Sequence, residues 1–420
     1  MRSFVLFLLL QTAVCFGEEK APSKKTICLN MIVKNEKQVI ARCLKSVLPI
    51  IDNWVIVDTG STDGTQEIIK DVLRQLPGKL YERPWVNFGY NRNEALSLAK
   101  DEADYILFMD ADDVLVFSDS FVLPDLTADF YYMPAGGGTS EFVLPRLVKA
   151  SISWFWKGKI HEYVVATHET SGILLEEVRY LYINDGARSK DPATYQKDIA
   201  LLQESIAEEP QTPRNYYYLA MTYLKLGEYE KALEAHQKRA DMPGWQEEAF
   251  VSKYYIALIQ HQLKKDLKVV GKSFLDAYLF YPKRIEPLFY LIEVLEKEGE
   301  VEKVYLLAKN ALEGPLKKNG SVLVESWIYE YGIRWKHAML AYKTDRLDEA
   351  IESFESLISR ADIPNERLQL MKQMYESATE KKKGADAESF KASAPIFMTT
   401  SLTSGLQYRN LMQILLNIFS

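Results

Sequence analysis

Asp110, Asp112 and Asp113 crowd together where the apolar run Tyr105 to Met109 ends. Carboxylates packed this closely repel one another, and a hard divalent cation such as Mn²⁺ or Mg²⁺ lets them stay ionised side by side. An acidic turn gives the same triplet, because Asp is common in loops. The other groups able to do chemistry separate the two readings. Asp58 closes a second apolar run, Trp54 to Val57, and leads into a turn rich in Gly, Ser, Thr and Asp. Lys34, Asn35 and Glu36 follow a third run that ends at Val33, and His161 and Glu162 stand as an adjacent pair further on.

The patterning around these residues says how a chain would bring them together. Residues 27–33 are almost unbroken apolar sequence, as in a strand covered on both faces. Strands are expected at 54–57, 79–82 and 105–109, with helices at 38–48, 66–76 and 94–99 between them. Strand and helix alternate, which calls for a mainly parallel sheet with helices on both faces and right-handed crossovers. Ligands of such sheets gather beyond the carboxyl ends of the strands, where Glu36, Asp58 and the aspartate cluster would all lie. Beyond Asp113 the alternation weakens. Gly136, Gly137 and Gly138 suggest a mobile loop, and Trp154, Phe155 and Trp156 suggest the wall of a site.

From Asp191 and Pro192 the texture is helical to about Glu380. Tyr216, Leu219, Ala220, Tyr223, Gly227, Ala232 and Pro243 fit one tetratricopeptide repeat, with His236 and Arg239 at positions usually aromatic and small. Leu288, Leu291, Leu295, Gly299, Ala308 and Ala311 give a looser second match, and Ala338, Ala350 and Phe354 a third. Such helix pairs leave an apolar face that only a neighbour can cover, so a stacked array is expected. Residues 381–385 suit a solvated linker, and 407–419 an amphipathic tail.

The chain of 420 residues is long enough for two or three domains, and its 47% hydrophobic and 26% charged content is that of a globular protein. A net charge of -7, without a basic block, argues against a nucleic-acid partner. Arg2, an apolar run from Phe4 and the small Gly17 have the pattern of a secretory signal peptide at 1–17, which implies export to a secretory lumen or a cell envelope. Cys28 and Cys43 are expected as small buried side chains, and no disulfide framework or zinc spacing is present.

Met31 to Glu36, Val57 to Thr65, Asn87 to Asn93 and Asp110 to Asp113 occur in an order and spacing that resembles family-two glycosyltransferases of the GT-A fold. The resemblance continues through Trp156, Gly158, Ile160, His161 and Glu162 to Gly186–Ser189, and is closest to a subgroup with tetratricopeptide-like helices after the transferase domain. It implies an α/β fold: a Rossmann-like, mainly parallel GT-A domain at 25–190, an all-α solenoid at 191–380, and a linker and tail at 381–420. It also implies an inverting transfer from a nucleotide-diphosphate sugar, commonly a UDP-sugar, to a glycan, lipid or protein acceptor, with Mn²⁺ or Mg²⁺.

By the same resemblance Val33, Asn35 and Glu36 line the nucleotide pocket and Arg92 and Asn93 position the donor. Asp58 accepts from the base N–H, or simply forms the turn beside Gly60. Asp110 lies near the ribose and the metal, and Asp112 is the main metal ligand. Glu162 is the expected base, with Asp113 and Asp185 as rivals. His161 is a metal ligand or orients the acceptor, beside aromatic residues suited to stacking on a sugar. Relatives commonly carry a histidine near Asn184, which this chain lacks. The alternative is an exported scaffold whose repeats bind a protein and whose transferase-like domain is inactive.

Overall fold

The computed structural model describes residues 24–137, 140–313 and 322–389. The signal-like stretch at 1–17 and the expected tail helix at 407–419 lie outside them. Strand β1 (Ile27–Val33) forms where the unbroken apolar run predicts it. It is followed by α1 (Ile40–Val47), β2 (Asn53–Asp58), α2 (Thr65–Val72), β3 (Gly78–Glu82), α3 (Phe88–Ala99) and β4 (Tyr105–Phe108). These four strands are parallel, in the order β3-β2-β1-β4. Period-two alternation divides β1 between two faces: Ile27, Leu29, Met31 and Val33 pack with Ile40 and Leu44 of α1, while Cys28 packs with Leu96 and Ala99 of α3. Asn30, on the α3 side, donates to Val55 O at 3.2 Å and Ala95 O at 2.9 Å, tying helix to sheet.

Helix α3 begins at Phe88, ahead of the expected Glu94, because Asn87 caps it by accepting the Tyr90 N–H at 2.8 Å. Arg92 and Asn93 are therefore helical. The chain continues through β5 (Val114–Phe117), β6 (Phe130–Gly137), β7 (Ser140–Lys149), β8 (Trp154–Lys157), β9 (Tyr163–Ala166), β10 (Gly172–Leu174) and β11 (Val178–Leu181). Strand β7 joins β4 antiparallel and makes the sheet mixed, in the order β3-β2-β1-β4-β7-β6-β11-β5, with β10 beside β6. Gly136 and Gly137 belong to the end of β6 and pair with β7, so they are not the mobile loop that was expected; Gly138 lies outside the described residues.

Strands β8 and β9 form a separate hairpin with His161 and Glu162 near its tip. The tip is seated on α3. Phe88 N–H donates to Lys159 O at 3.0 Å, and a Cβ on Gly89 would lie 2.0 Å from Gly158 O.

A short α4 (Ala187–Lys190) leads into the array: α5 (Thr194–Glu208), α6 (Pro213–Lys225), α7 (Tyr229–Ala240), α8 (Gln246–Gln262), α9 (Leu267–Phe280), α10 (Glu286–Lys297), α11 (Val301–Glu313), α12 (Ile333–Lys343), α13 (Leu347–Ile358) and α14 (Asn365–Ser389). Each of the three recognised repeats turns through one left-handed residue, Gly227 (φ 71°), Gly299 (φ 84°) or Asp345 (φ 59°). The next amide then reaches back to Tyr223 O, Leu295 O or Ala341 O, closing the helix as in a Schellman motif. The unusual His236 and Arg239 are buried and partly satisfied, His236 Nδ1 lying 3.2 Å from Ser252 Oγ and Arg239 Nη2 donating to Trp245 O at 2.8 Å, while His236 Nε2 and Arg239 Nε have no hydrogen-bond partner. Residues 381–385 continue α14 instead of forming a linker, since Lys381 and Lys382 pair with Asp345 and Asp348.

The transferase-like domain and the array share a core, in which Ile160 of the hairpin tip packs with Leu202, Leu219, Ala220 and Tyr223. Lys159 Nζ pairs with Glu204 and Glu208, each at 2.7 Å. Gly89→Ala should push α3 off the hairpin and destabilise the protein by about 1–3 kcal/mol, the usual cost of overpacking, as measured by denaturant unfolding. A stability unchanged from wild type would contradict this contact.

Candidate active site

The carboxyl ends of β1, β2 and β4 release Asn35 and Glu36, Asp58 and Asp110 at one edge of the sheet. Asn35, left-handed at φ 57°, holds the facing turn: its amide donates to Ser61 Oγ at 2.8 Å and its Oδ1 accepts from Thr62 N at 2.9 Å. Val33 is buried and lends its carbonyl to Thr59. Asp58 is fully buried. Its Oδ1 accepts from Gly60 N at 2.8 Å and Ser61 N at 2.7 Å, while Oδ2 has no partner. Asp58 therefore does form the turn, and it also keeps one buried oxygen that only a donor from outside the protein can satisfy.

Arg92 is the centre of the arrangement. Its Nη2 meets Asp110 Oδ1, and its Nε donates to Glu162 Oε1 at 2.5 Å. Asp110 is gripped from a second side by Arg146 at 3.3 Å, and Tyr180 Oη donates to the same oxygen at 3.3 Å. Burial alone would raise the Asp110 carboxyl, but the two guanidiniums hold it well below the usual carboxylate range. Burial likewise opposes the charge on Arg92, and Asp110 and Glu162 more than restore it. One cation thus joins the end of β4 to the β8–β9 hairpin.

A second acidic group lies beside the first. Asp112 Oδ2 accepts from Gly186 N at 3.1 Å, and Glu36 Oε2 accepts from Ala187 N at 3.1 Å. A Cβ on Gly186 would lie 2.9 Å from Asp112 Oδ2 and 3.0 Å from Glu36 Oε2, so the two carboxylates face the same point of backbone. Burial, together with Asp112 and Asp63, pushes Glu36 up to about 7. Burial, Asp110 and Asp112 do the same to Asp113, also to about 7. The locale carries more negative charge than its cations balance.

Several expected roles change. Asn93 Nδ2 donates to Trp156 O at 2.8 Å and its Oδ1 accepts from Trp156 N at 2.7 Å, so its amide holds β8. Trp156 is buried, with Arg92 stacked 4.9 Å from its ring, and Trp154 packs in the same cluster. Of the three aromatic residues only Phe155 is exposed, which removes the expected stacking wall. His161 stacks on Tyr218 of α6 at 3.9 Å, and burial, Arg188 and Arg214 push it down to about 3. Among the described residues no three His, Cys, Asp or Glu side chains converge as a metal-binding group. Asp185 forms a two-pronged pair with Arg42 at 2.6 and 2.9 Å.

Sequence reasoning missed Arg146 and Tyr180. A lone arginine inside the apolar stretch of β7 was the available signal, since a charge there needs a buried partner.

Asp113 keeps its proton in the folded chain at pH values where the unfolded chain has lost it. It therefore takes away stability as pH rises from about 4 to about 7. In EDTA-treated protein, Asp113→Asn should flatten the fall of the thermal midpoint across about pH 5 to 7. A slope equal to that of wild type would show that Asp113 is ionised normally.

Residues 28–120 match glycosyl transferase family 2. A TPR repeat-containing protein of Synechococcus elongatus is 36% identical over 91 residues, 21% of this chain and 21% of that one. The SPbeta prophage-derived glycosyltransferase SunS of Bacillus subtilis is 24% identical over 235 residues, 53% of this chain and 54% of that one. The matches thus span about half or less of these relatives' length. The crystal structure of a thermophilic TPR protein from Thermus thermophilus aligns with 44% of this chain and 91% of its own, at 23% identity and a TM-score of 0.29. Residues 28–120 thus resemble a glycosyl transferase family 2 domain, and a helical array follows in the same chain.

Proposed function

We propose that the chain is an inverting, divalent-metal-dependent glycosyltransferase that uses a nucleotide-diphosphate sugar, of which a UDP-sugar is the first candidate. The observation that carries the reading is the run Asp110–Arg92–Glu162, which joins a donor-side aspartate to a hairpin carboxylate through one buried guanidinium. The unpartnered Oδ2 of Asp58 supports a nucleotide contact, because a base N–H would satisfy it. A pair of carboxylates supports a cation in this reading. Asp112 and Glu36 crowd around Gly186, and burial, reinforced by neighbouring carboxylates, raises the proton affinities of Glu36 and Asp113. Asp112 is the primary ligand in this reading, with Glu36 the nearest second candidate; Asp110 is already neutralised by arginine. A bound Mn²⁺ or Mg²⁺ would supply charge stabilisation for the departing diphosphate.

The rest of the chemistry falls to the chain's own groups. Glu162 takes the proton of the acceptor hydroxyl as its oxygen bonds to the anomeric carbon. The carbon–oxygen bond to the diphosphate breaks on the opposite face, and the nucleoside diphosphate leaves with that electron pair. Arg92 holds Glu162 toward this point until an acceptor arrives. Asp58 and the Asn35-braced turn fix the nucleotide end, so that donor binding and proton removal sit on different elements. The signal-like leader would direct this activity to a secretory lumen or a cell envelope, and the array offers a surface for a protein partner.

Purified protein mixed with a panel of nucleotide sugars and Mn²⁺ should release nucleoside diphosphate, and EDTA should stop it. Glu162→Gln should lower kcat by about 10²- to 10⁴-fold, the range for loss of a general base. Asp112→Ala should remove the dependence on metal together with the activity. The inactive scaffold gains support from both Asp110 oxygens being taken by arginine. It would be favoured if UDP with Mn²⁺ failed to raise the melting temperature.

A further inference from the structure

Glu162 hangs from a hairpin tip that packs on the helical array as well as on α3. Its neighbour His161 is clamped by α6 in two ways. The imidazole lies parallel to the Tyr218 ring, centroids 3.9 Å apart and planes 9° apart, and Arg214 Nε donates to the His161 carbonyl at 3.2 Å. Arg214 is itself locked. Its Nη1 pairs with Glu248 of α8 at 3.1 Å, its Nη2 donates to Tyr218 Oη at 3.0 Å, and its guanidinium stacks on Tyr163 at 4.9 Å and Tyr218 at 4.7 Å. On the other side of His161, Ile160 is 4% exposed within the array's core.

His161 has φ 51°, the left-handed region that a residue with a Cβ occupies only where its surroundings hold it. Consecutive Cα atoms are locked about 3.8 Å apart, so a change in the His161 backbone must redirect Glu162. Release of the clamp would let His161 relax to an ordinary φ and carry the Glu162 carboxylate away from Arg92.

We propose that Tyr218 and Arg214, from the helical array, are positioning residues for Glu162 and act through the backbone of His161. The array is then a structural part of the active site as well as an appended surface. The proposal rests on the assignment of Glu162 as base.

The test uses the full chain with UDP-glucose and the UDP-N-acetylhexosamines as probes, Mn²⁺ present and free UDP as the readout. Hydrogen exchange of residues 158–163 is followed in parallel. Tyr218→Leu and Arg214→Gln should lower kcat about 10- to 100-fold, the cost of a misplaced catalytic group, with the donor KM within about twofold of wild type. Exchange in 158–163 should quicken in both. Tyr218→Phe keeps the stack but loses the bond from Arg214 Nη2, so it should recover most of kcat, and Glu204→Gln, at the same interface but outside the clamp, should leave it unchanged. If Tyr218→Leu does not fold, Arg214→Gln carries the test, because it leaves the aromatic stack in place. An active wild type whose two variants keep kcat and the exchange pattern overturns the clamp alone. A wild type that turns over none of the probes while UDP with Mn²⁺ leaves its melting temperature unchanged removes the transferase reading, and the clamp's catalytic meaning with it.

Discussion

A buried guanidinium with a carboxylate on each side is the constraint on which this structure turns. Arg92 cannot lose its proton, and a buried cation of that kind is tolerated only when paired, so Asp110 and Glu162 must both be where they are. Everything around them serves that meeting. Asn87 starts α3 early enough to put Arg92 in its first turns, Gly89 lets the hairpin tip approach, and Asn93 pins the strand that leads to the tip. Arg146 of β7 and Tyr180 of β11 fix the far side of Asp110.

The charge balance of the edge is uneven, and the unevenness is informative. Arg92 and Arg146 together balance Asp110 and Glu162, whereas burial, reinforced by neighbouring carboxylates, makes Glu36 and Asp113 hold protons to about pH 7. A folded chain without ligands stores that imbalance as lost stability, which a bound cation would return. In the proposed reading, fold and donor binding are linked through the same few side chains.

Much of this was legible in the sequence. The parallel strands follow from apolar runs of the right length, and the carboxylates at their ends follow from the rule that ligands gather at carboxyl edges. Glu162 and Arg92 were readable only through family resemblance, because no spacing rule predicts that a hairpin tip will fold back on a helix. Asn93 and the tryptophans misled for a physical reason: amides and indoles serve equally well inside a core, and their chemistry alone does not say which surface they face. Residues 136–137 misled because glycine marks a strand end as often as a loop. Arg146 was missed because its partner lies on a different strand, and pairing across a sheet is not encoded locally.

The central claim is that Glu162, held by Arg92, removes the acceptor proton in a single displacement. The most direct test is the anomeric configuration of the transferred sugar, read by proton NMR on the product of whichever nucleotide sugar is turned over. The account predicts a configuration opposite to that of the donor. Retention would require a nucleophile or a front-face route that this site does not describe, and would contradict it.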